Sequence, residues 1–470
     1  MKKHLLFFLA LLVCFSMIPQ TSNAASQLNG FDSMNQIRDE SQIIIVNNNG
    51  GIGAILTTYE KSNGEWRKAL PTMSAVVGKS GISTKQKEGD GITPTGVYSL
   101  GTAFGWGEKP AGVKLPYRTT TANDYWIDDP ASSDYNKWVT YNGNPNTRWN
   151  SYEILKQSLY KYAVAINYNT DPIVKGKGSA IFLHVWRSST SPTAGCVALA
   201  EENVKKLLTW IDPAKKPIIV IGKTSQNNNL LNDHAEEAAR QAVADAQIKA
   251  NKLRGKYVAS SVEEVALSPQ FNSDYSVAKT AVLNAQTKIN LLQSTKKHEL
   301  QQGLDAVKPY QIRSAQFIDA VNYGKNEVEA SRTSVYEFVQ NDTFTPELVQ
   351  SYHLLSVNIR KEELIIGKVY GSETRKYMAE ALVKQAKIVR ETVIYEVSIF
   401  ELLNKINNLM AQNDQAAAFK ELEKLDRLKH RAVEIKEAGN KLYPGKYPDL
   451  PSMKAFLETY EAETRSKLNE

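Results

Sequence analysis

Residues 179–199 read Ser-Ala-Ile-Phe-Leu-His-Val-Trp-Arg-Ser-Ser-Thr-Ser-Pro-Thr-Ala-Gly-Cys-Val-Ala-Leu. An apolar run at 180–183 delivers His184, a polar loop with Pro192 follows, and Gly195-Cys196 enters a second apolar run at 197–199. This pattern predicts a strand, a loop and a second ordered segment, which brings an imidazole and a thiol to the same rim. The only other cysteine is Cys14, and no other histidine lies between His4 and His234. One thiol and one imidazole in one short segment are the minimum parts of a cysteine nucleophile and its base.

Working outward, residues 1–24 have the form of an export signal. Lys2, Lys3 and His4 precede a short apolar core at 5–13, and Ser22-Asn23-Ala24 offers a small-residue cleavage site. Cys14 raises lipidation as the alternative, but Val13 before it is bulky for such a site. The core is too short for a membrane anchor, and no other stretch is apolar enough to span a bilayer. The expected location is therefore secreted, outside the cytoplasm. After export the chain keeps a single cysteine, so it has no internal disulfide framework and needs a conventional apolar core.

The formal charge of +7 falls by two when Lys2 and Lys3 are removed, and it is spread rather than clustered. That distribution argues against a nucleic-acid partner. No phosphate-binding glycine loop, dinucleotide fingerprint or metal-ligand cluster is present, so no cofactor and no metal are expected.

Composition changes close to Gly222. All seven tryptophans and most of the 26 glycines and 17 prolines fall at or before it; long Ala/Leu/Lys/Glu/Gln stretches follow. The first part reads as strands and shaped loops, the remainder as helices, with the polar run 224–229 as a linker. In the first part, 42–46 is a β-branched run with a hairpin partner at 53–59, 97–100 and 218–221 are further strands, and 201–211 is a short helix with Val204, Leu207, Leu208 and Ile211 on one face. In the second, Ala239, Ala242, Val243, Ala246, Ala250 and Leu253 keep helical spacing. So do Ala278, Val282, Ala285, Ile289 and Leu292, then Val393, Val397, Phe400 and Leu403, then Leu422, Leu425, Leu428 and Val433. Pro269, Pro309 and Pro346 mark helix boundaries.

His184, the Thr193-Ala194-Gly195-Cys196 turn, the upstream Gly-Asp-Gly-Ile-Thr-Pro-Thr-Gly loop at 89–96 and Tyr168-Asn169 together resemble an L,D-transpeptidase catalytic domain of the YkuD type, over about residues 42–222. The resemblance implies a mostly-β fold that acts on peptidoglycan stem peptides through a cysteine acyl-enzyme. It makes Cys196 the nucleophile and His184 the proton donor and acceptor. Ala194 stands where the family carries a second histidine, and Val197-Ala198 where an arginine is usual.

The chemistry of these residues can be read independently. A free thiol is only a few per cent ionised at neutral pH, and a neighbouring imidazole can hold it as a thiolate by ion pairing. Gly195 allows close backbone approach, so its amide and that of Cys196 can face an oxyanion. Ser191 and Thr193 are the nearest groups able to orient the imidazole. Arg187 is surface charge by default, and the resemblance makes it the candidate to bind a stem-peptide carboxylate in place of the missing arginine.

The expected chain is thus multidomain. A signal peptide at 1–24 precedes a mostly-β catalytic domain at 36–222, a linker at 223–234 and an all-α helical-bundle region at 235–470, divisible into two bundles. The expected function is cell-wall crosslinking or remodelling. An L,D-carboxypeptidase using the same Cys-His chemistry, or a non-catalytic wall-binding protein of the same fold, are the alternatives. The helical region is expected either to hold cell-wall polymers or to act as a spacer.

Overall fold

The computed structural model describes residues 32–469, so the expected export signal lies outside the described residues. The chain divides into two compact units. One is built on residues up to 237 together with 291–294, the other on 238–290 and 295–470. The first is mostly β and the second is helical, as composition leads one to expect.

The β unit contains β1 (Gln42–Asn47), β2 (Gly53–Ser62), β3 (Glu65–Lys68), β4 (Met73–Val76), β5 (Ile82–Ser83), β6 (Thr93–Pro94), β7 (Gly96–Gly105) and β8 (Tyr117–Thr119). It continues through β9 (Asp124–Trp126), β10 (Trp138–Thr140), β11 (Glu153–Ile154), β12 (Ala163–Ile166), β13 (Phe182–Val185), β14 (Val197–Leu199) and β15 (Ile218–Gly222). The main sheet runs β1-β15-β7-β12-β13-β14-β4-β2-β3, with β8 beside β7. A further β1–β2 pairing closes the path on itself, which leaves those two strands no free edge. Both strands predicted at the two ends of the domain meet here: β1 pairs with β2 in antiparallel fashion and with β15 in parallel, Ile44 opposite Ile219.

Alternation along β13 and β14 sends side chains to two different cores. Leu183, Val197 and Leu199 join Ile44, Leu56, Val164 and Ile219 in the larger one. Helix α1 (Glu201–Trp210) closes that core with Val204, Leu207 and Leu208, all fully buried. Phe182 and Cys196 point to the other face, into an aromatic cluster with Phe104, Tyr160 and Leu155. The small sheet β10-β9-β11 contributes Trp126 and Trp138 to this cluster.

The run 224–229 does not form the predicted linker. Helix α2 (Asn227–Asn251) begins inside it. Three asparagines in a row carry weak helical propensity, but the turn they start buries Leu231 and Ala235, and packing outweighs propensity.

In the helical unit the predicted seams are buried. Ala239, Ala246, Ala250, Leu253, Ala278, Ala285 and Ile289 are inaccessible to solvent, as are Val393, Val397, Leu403 and Leu425. Val433 departs from its predicted seam and is exposed, while Ala432 beside it is buried. Pro269 and Pro346 open helices Pro269–Leu291 and Pro346–Ile366, and Pro309 sits in the first turn of Lys308–Tyr323. There the missing N–H removes no intrahelical bond. Phe317, Leu348 and Ile359 belong to one large apolar cluster, and Leu403, Ile406 and Leu425 to a smaller one.

Candidate active site

β13 and β14 run parallel with Leu183 opposite Val197 and His184 opposite Ala198. Cys196 lies two residues before Ala198, so it shares a sheet face with His184. Both line one cleft of about 480 Å³. Each is nearly inaccessible, Cys196 at 7% exposed and His184 at 3%.

The imidazole is oriented by the backbone. His184 Nδ1 lies 2.8 Å from the Val185 carbonyl, an acceptor only, so Nδ1 carries the proton of the neutral ring. The Tyr160 ring meets the imidazole edge-on, with centroids 5.2 Å apart. Neither Ser191 nor Thr193 has the orienting role expected of them. Ser191 Oγ pairs with Ser188 Oγ at 2.9 Å, and the Thr193 hydroxyl donates to the Cys196 carbonyl at 2.7 Å.

The thiol donates to the Ala180 carbonyl at 3.3 Å and accepts the Phe182 amide at 3.4 Å. Burial pushes the thiol up to about 12, with the Glu153 charge adding to it; the Phe182 amide and Lys85 pull the other way. Burial also draws the imidazole down to about 4, against the Val185 and Leu159 backbone, which favours the charged ring. Both groups therefore rest neutral in the cleft they share, not as the ion pair that residue types alone suggest. The reason is desolvation: each charged form loses more hydration than its polar contacts return.

Gly195 is required by geometry. Its φ is +149°, and a Cβ there would stand 3.0 Å from the Ile92 carbonyl and 3.3 Å from Ile181 Cδ1. Its amide donates to Thr193 Oγ1 at 3.1 Å, so that donor is already engaged. The Cys196 amide precedes the β13–β14 ladder, which starts at Val197. Beneath Cys196, Thr93 accepts from the Gly78 amide at 2.8 Å and donates to the Cys196 carbonyl at 3.2 Å. The Gly/Pro-punctuated loop is thus a support for Cys196. Lys85, almost fully buried, pairs with Asp90 at 2.6 Å. Burial alone would raise the Asp90 carboxyl, but Lys85 and the amides of Ile92, Gln86 and Lys87 hold it at about 2.

Arg187 and Trp186 line the cleft, and Arg187 is exposed with no ion-pair partner among the described residues. Three carboxylates that no motif announces share the cleft, Glu88, Asp128 and Glu153. Tyr160 and Gln157 both donate to Glu153 Oε2, at 3.3 and 3.2 Å. These residues arrive through the β9–β11 pairing and loops far from Cys196 in the chain, so no local motif announces them. Among the described residues, no three His, Cys, Asp or Glu side chains are grouped to hold a metal.

Residues 41–220 match the L,D-transpeptidase catalytic domain. A second family model, the SbsC C-terminal domain, matches residues 256–387. No curated protein matches the chain. Among solved structures, the chain is similar to the S-layer protein rSbsC(31-844) at 20% identity and a TM-score of 0.39, over 49% of this chain and 32% of that one. It is also similar to the helical cell shape determining protein Pgp2 from Campylobacter jejuni at 17% identity and a TM-score of 0.25, over 53% and 70%. The chain thus spans about a third of the S-layer chain it matches. Within the L,D-transpeptidase domain lie all the predicted site residues, Arg187, Ser191, Thr193 and Gly195 as well as the His184–Cys196 pair. No described helix is long and apolar enough to cross a membrane.

Proposed function

We propose that this protein is an exported cysteine L,D-transpeptidase that crosslinks or remodels peptidoglycan stem peptides. The observation that carries the reading is the placement of Cys196 and His184 on one sheet face, opening into one cleft, within the matched domain.

The thiol leaves the Ala180 carbonyl, passes its proton to the imidazole nitrogen not bound to Val185, and the sulfur attacks the carbonyl of the L,D bond. A C–S bond forms, the C–N bond breaks, and protonated His184 returns the proton to the departing D-alanine amine. An acceptor amine then attacks the thioester, and the thiol is restored. Because both groups rest neutral, proton transfer accompanies attack, and no stored thiolate is exposed between turnovers. The Cys196 amide is the donor available to the oxyanion, and the Gly195 amide joins it if Thr193 turns away. Arg187 binds a stem carboxylate. The catalytic domain works outside the cytoplasm at the wall, and the helical region holds wall polymer.

One observation favours a rival. A buried thiol pushed up to about 12 also suits a binding protein that keeps the fold without the chemistry. Muropeptides incubated with the full chain and separated by mass distinguish the readings. Crosslinked dimers are the expected product; shortened monomers alone indicate an L,D-carboxypeptidase, and unchanged muropeptides with retained wall binding indicate the non-catalytic protein.

A further inference from the structure

Building on the transpeptidase reading, we propose that Lys85 is a positioning residue for the nucleophile. It is a fixed cation in the cleft wall that stabilises the negative charge gathering on Cys196 Sγ during acyl transfer.

The placement of the side chain carries the inference. Lys85 follows β5 directly, packs its stem on Gly178 and brings Nζ to Gly195. A Cβ on Gly178, whose φ is +109°, would collide with Lys85 Cδ and Cε, and a Cβ on Gly195 would stand 3.6 Å from Lys85 Nζ. Gly195 immediately precedes Cys196, so Nζ ends beside the turn that carries the thiol. The Gly178 amide donates to the Tyr135 hydroxyl at 2.9 Å, which fixes the wall on that side. The Lys85 side chain is only 2% exposed, and Nζ is held by Asp90 at 2.6 Å and the Ile92 carbonyl at 3.3 Å. These bonds use two of its three donors. The third has no acceptor among the described residues.

Asp90 does not cancel this cation at the sulfur. Lys85 lines the cleft with Cys196 and His184, and Asp90 does not. The carboxylate is bound back into its own loop by the amides of Gln86, Lys87 and Ile92. The pair therefore presents its positive end to the cleft. The other charges there act differently. Glu88, Asp128 and Glu153 would oppose a thiolate, while Lys79 and Arg187 are exposed and screened by water. Lys85 is the cation whose charge pulls the Cys196 thiol down, against burial and Glu153.

Lys85 neither gives nor takes a proton. As the thiol proton passes to His184 and the C–S bond forms, negative charge builds on sulfur and then moves to the carbonyl oxygen. When the acceptor amine attacks and the C–S bond breaks, the charge returns to sulfur until His184 gives the proton back. A buried cation lowers the energy of the sulfur anion at both moments without reorganising.

The test uses the full chain, with alkylation of Cys196 followed by peptide mass so that Cys14 does not contribute. The variant is Lys85→Met, Asp90→Asn, which removes cation and anion together and should melt as wild type does. Iodoacetamide is expected to modify Cys196 about 10-fold more slowly in it, the rate profile moving about one pH unit upward. Iodoacetate, an anion of similar size, should lose more than iodoacetamide, because it also loses the attraction of Lys85. Acyl-adduct formation with a tetrapeptide donor should slow in parallel. Lys85→Gln, Asp90→Asn, which keeps a hydrogen bond between the two positions, should show the same losses and serves if the first variant does not fold. Wild-type alkylation rates in a variant that melts normally would assign Lys85 to packing alone and overturn this inference. Equal losses with both reagents would mean restricted access and overturn it too. Alkylation that responds as expected in a protein that forms no acyl adduct would instead overturn the transpeptidase reading and leave the effect of Lys85 on Cys196 standing.

Discussion

Lys85 in the L,D-transpeptidase domain and Glu362 in the helical unit are both ionisable and almost fully buried, and they are stabilised in opposite ways. Lys85 donates to Asp90 at 2.6 Å and to the Ile92 carbonyl at 3.3 Å. Glu362, on the helix Pro346–Ile366, is inaccessible to solvent, and neither carboxyl oxygen has a hydrogen-bond partner. Burial raises that carboxyl to about 8, so it stays protonated at neutral pH. The Lys85–Asp90 pair supports the loop beneath Cys196, whereas Glu362 sits neutral in its helix. Other buried carboxylates of the helical unit, Glu421 and Glu461, are paired as Asp90 is, with Lys405 and Lys424 and with Lys429 and Arg465. Burial of an ionisable group is met by pairing where a cation is in reach and by protonation where none is.

The comparison breaks most sharply at Lys85. Lys85→Met leaves Asp90 without its cation, held only by the Gln86, Lys87 and Ile92 amides, and is expected to cost about 3 kcal/mol by denaturant unfolding of the β unit. Recovery in the double variant Lys85→Met, Asp90→Asn would show that the loss comes from the unpaired charge.

Glu362 should respond next. Its folded-state value lies above that of the unfolded chain, near 4.5, so the folded state holds a proton that the unfolded state has released. Stability contributed by this group is complete below the unfolded value and is lost as pH rises toward about 8. The helical unit should melt roughly 5 °C lower at pH 8 than at pH 5. Glu362→Gln should flatten that slope, and a slope unchanged in the variant would assign it to other groups.

Thr193→Val removes the hydroxyl shared by Gly195 and Cys196 and should cost about 1–2 kcal/mol. It should also slow acylation, read by adduct formation over time. Arg187→Ala, on exposed surface, should change stability by less than about 0.5 kcal/mol. It should raise KM for the donor stem if the guanidinium binds its carboxylate; an unchanged KM removes Arg187 from the substrate site.

Much of this arrangement is legible in the chain. The apolar runs at 42–46, 180–183, 197–199 and 218–221 become β1, β13, β14 and β15 because burial and β-branching agree there. That His184 and Cys196 line one cleft follows from their closeness in sequence. Glu153 is different: it reaches the cleft only through the β9–β11 pairing, whose strands are two and three residues long, too short to show periodicity. The neutral state of the thiol and imidazole was also hidden, since residue types predict attraction while burial decides which forms exist. The asparagine run at 227 misleads because its helix depends on contacts made by Leu231 and Ala235.

The most direct measurement is the mass of the intact protein after exposure to a tetrapeptide stem. A catalytic Cys196 predicts that the wild-type chain gains the stem less D-alanine while Cys196→Ala gains nothing. An unmodified wild type, or an adduct that persists without the thiol, would contradict it.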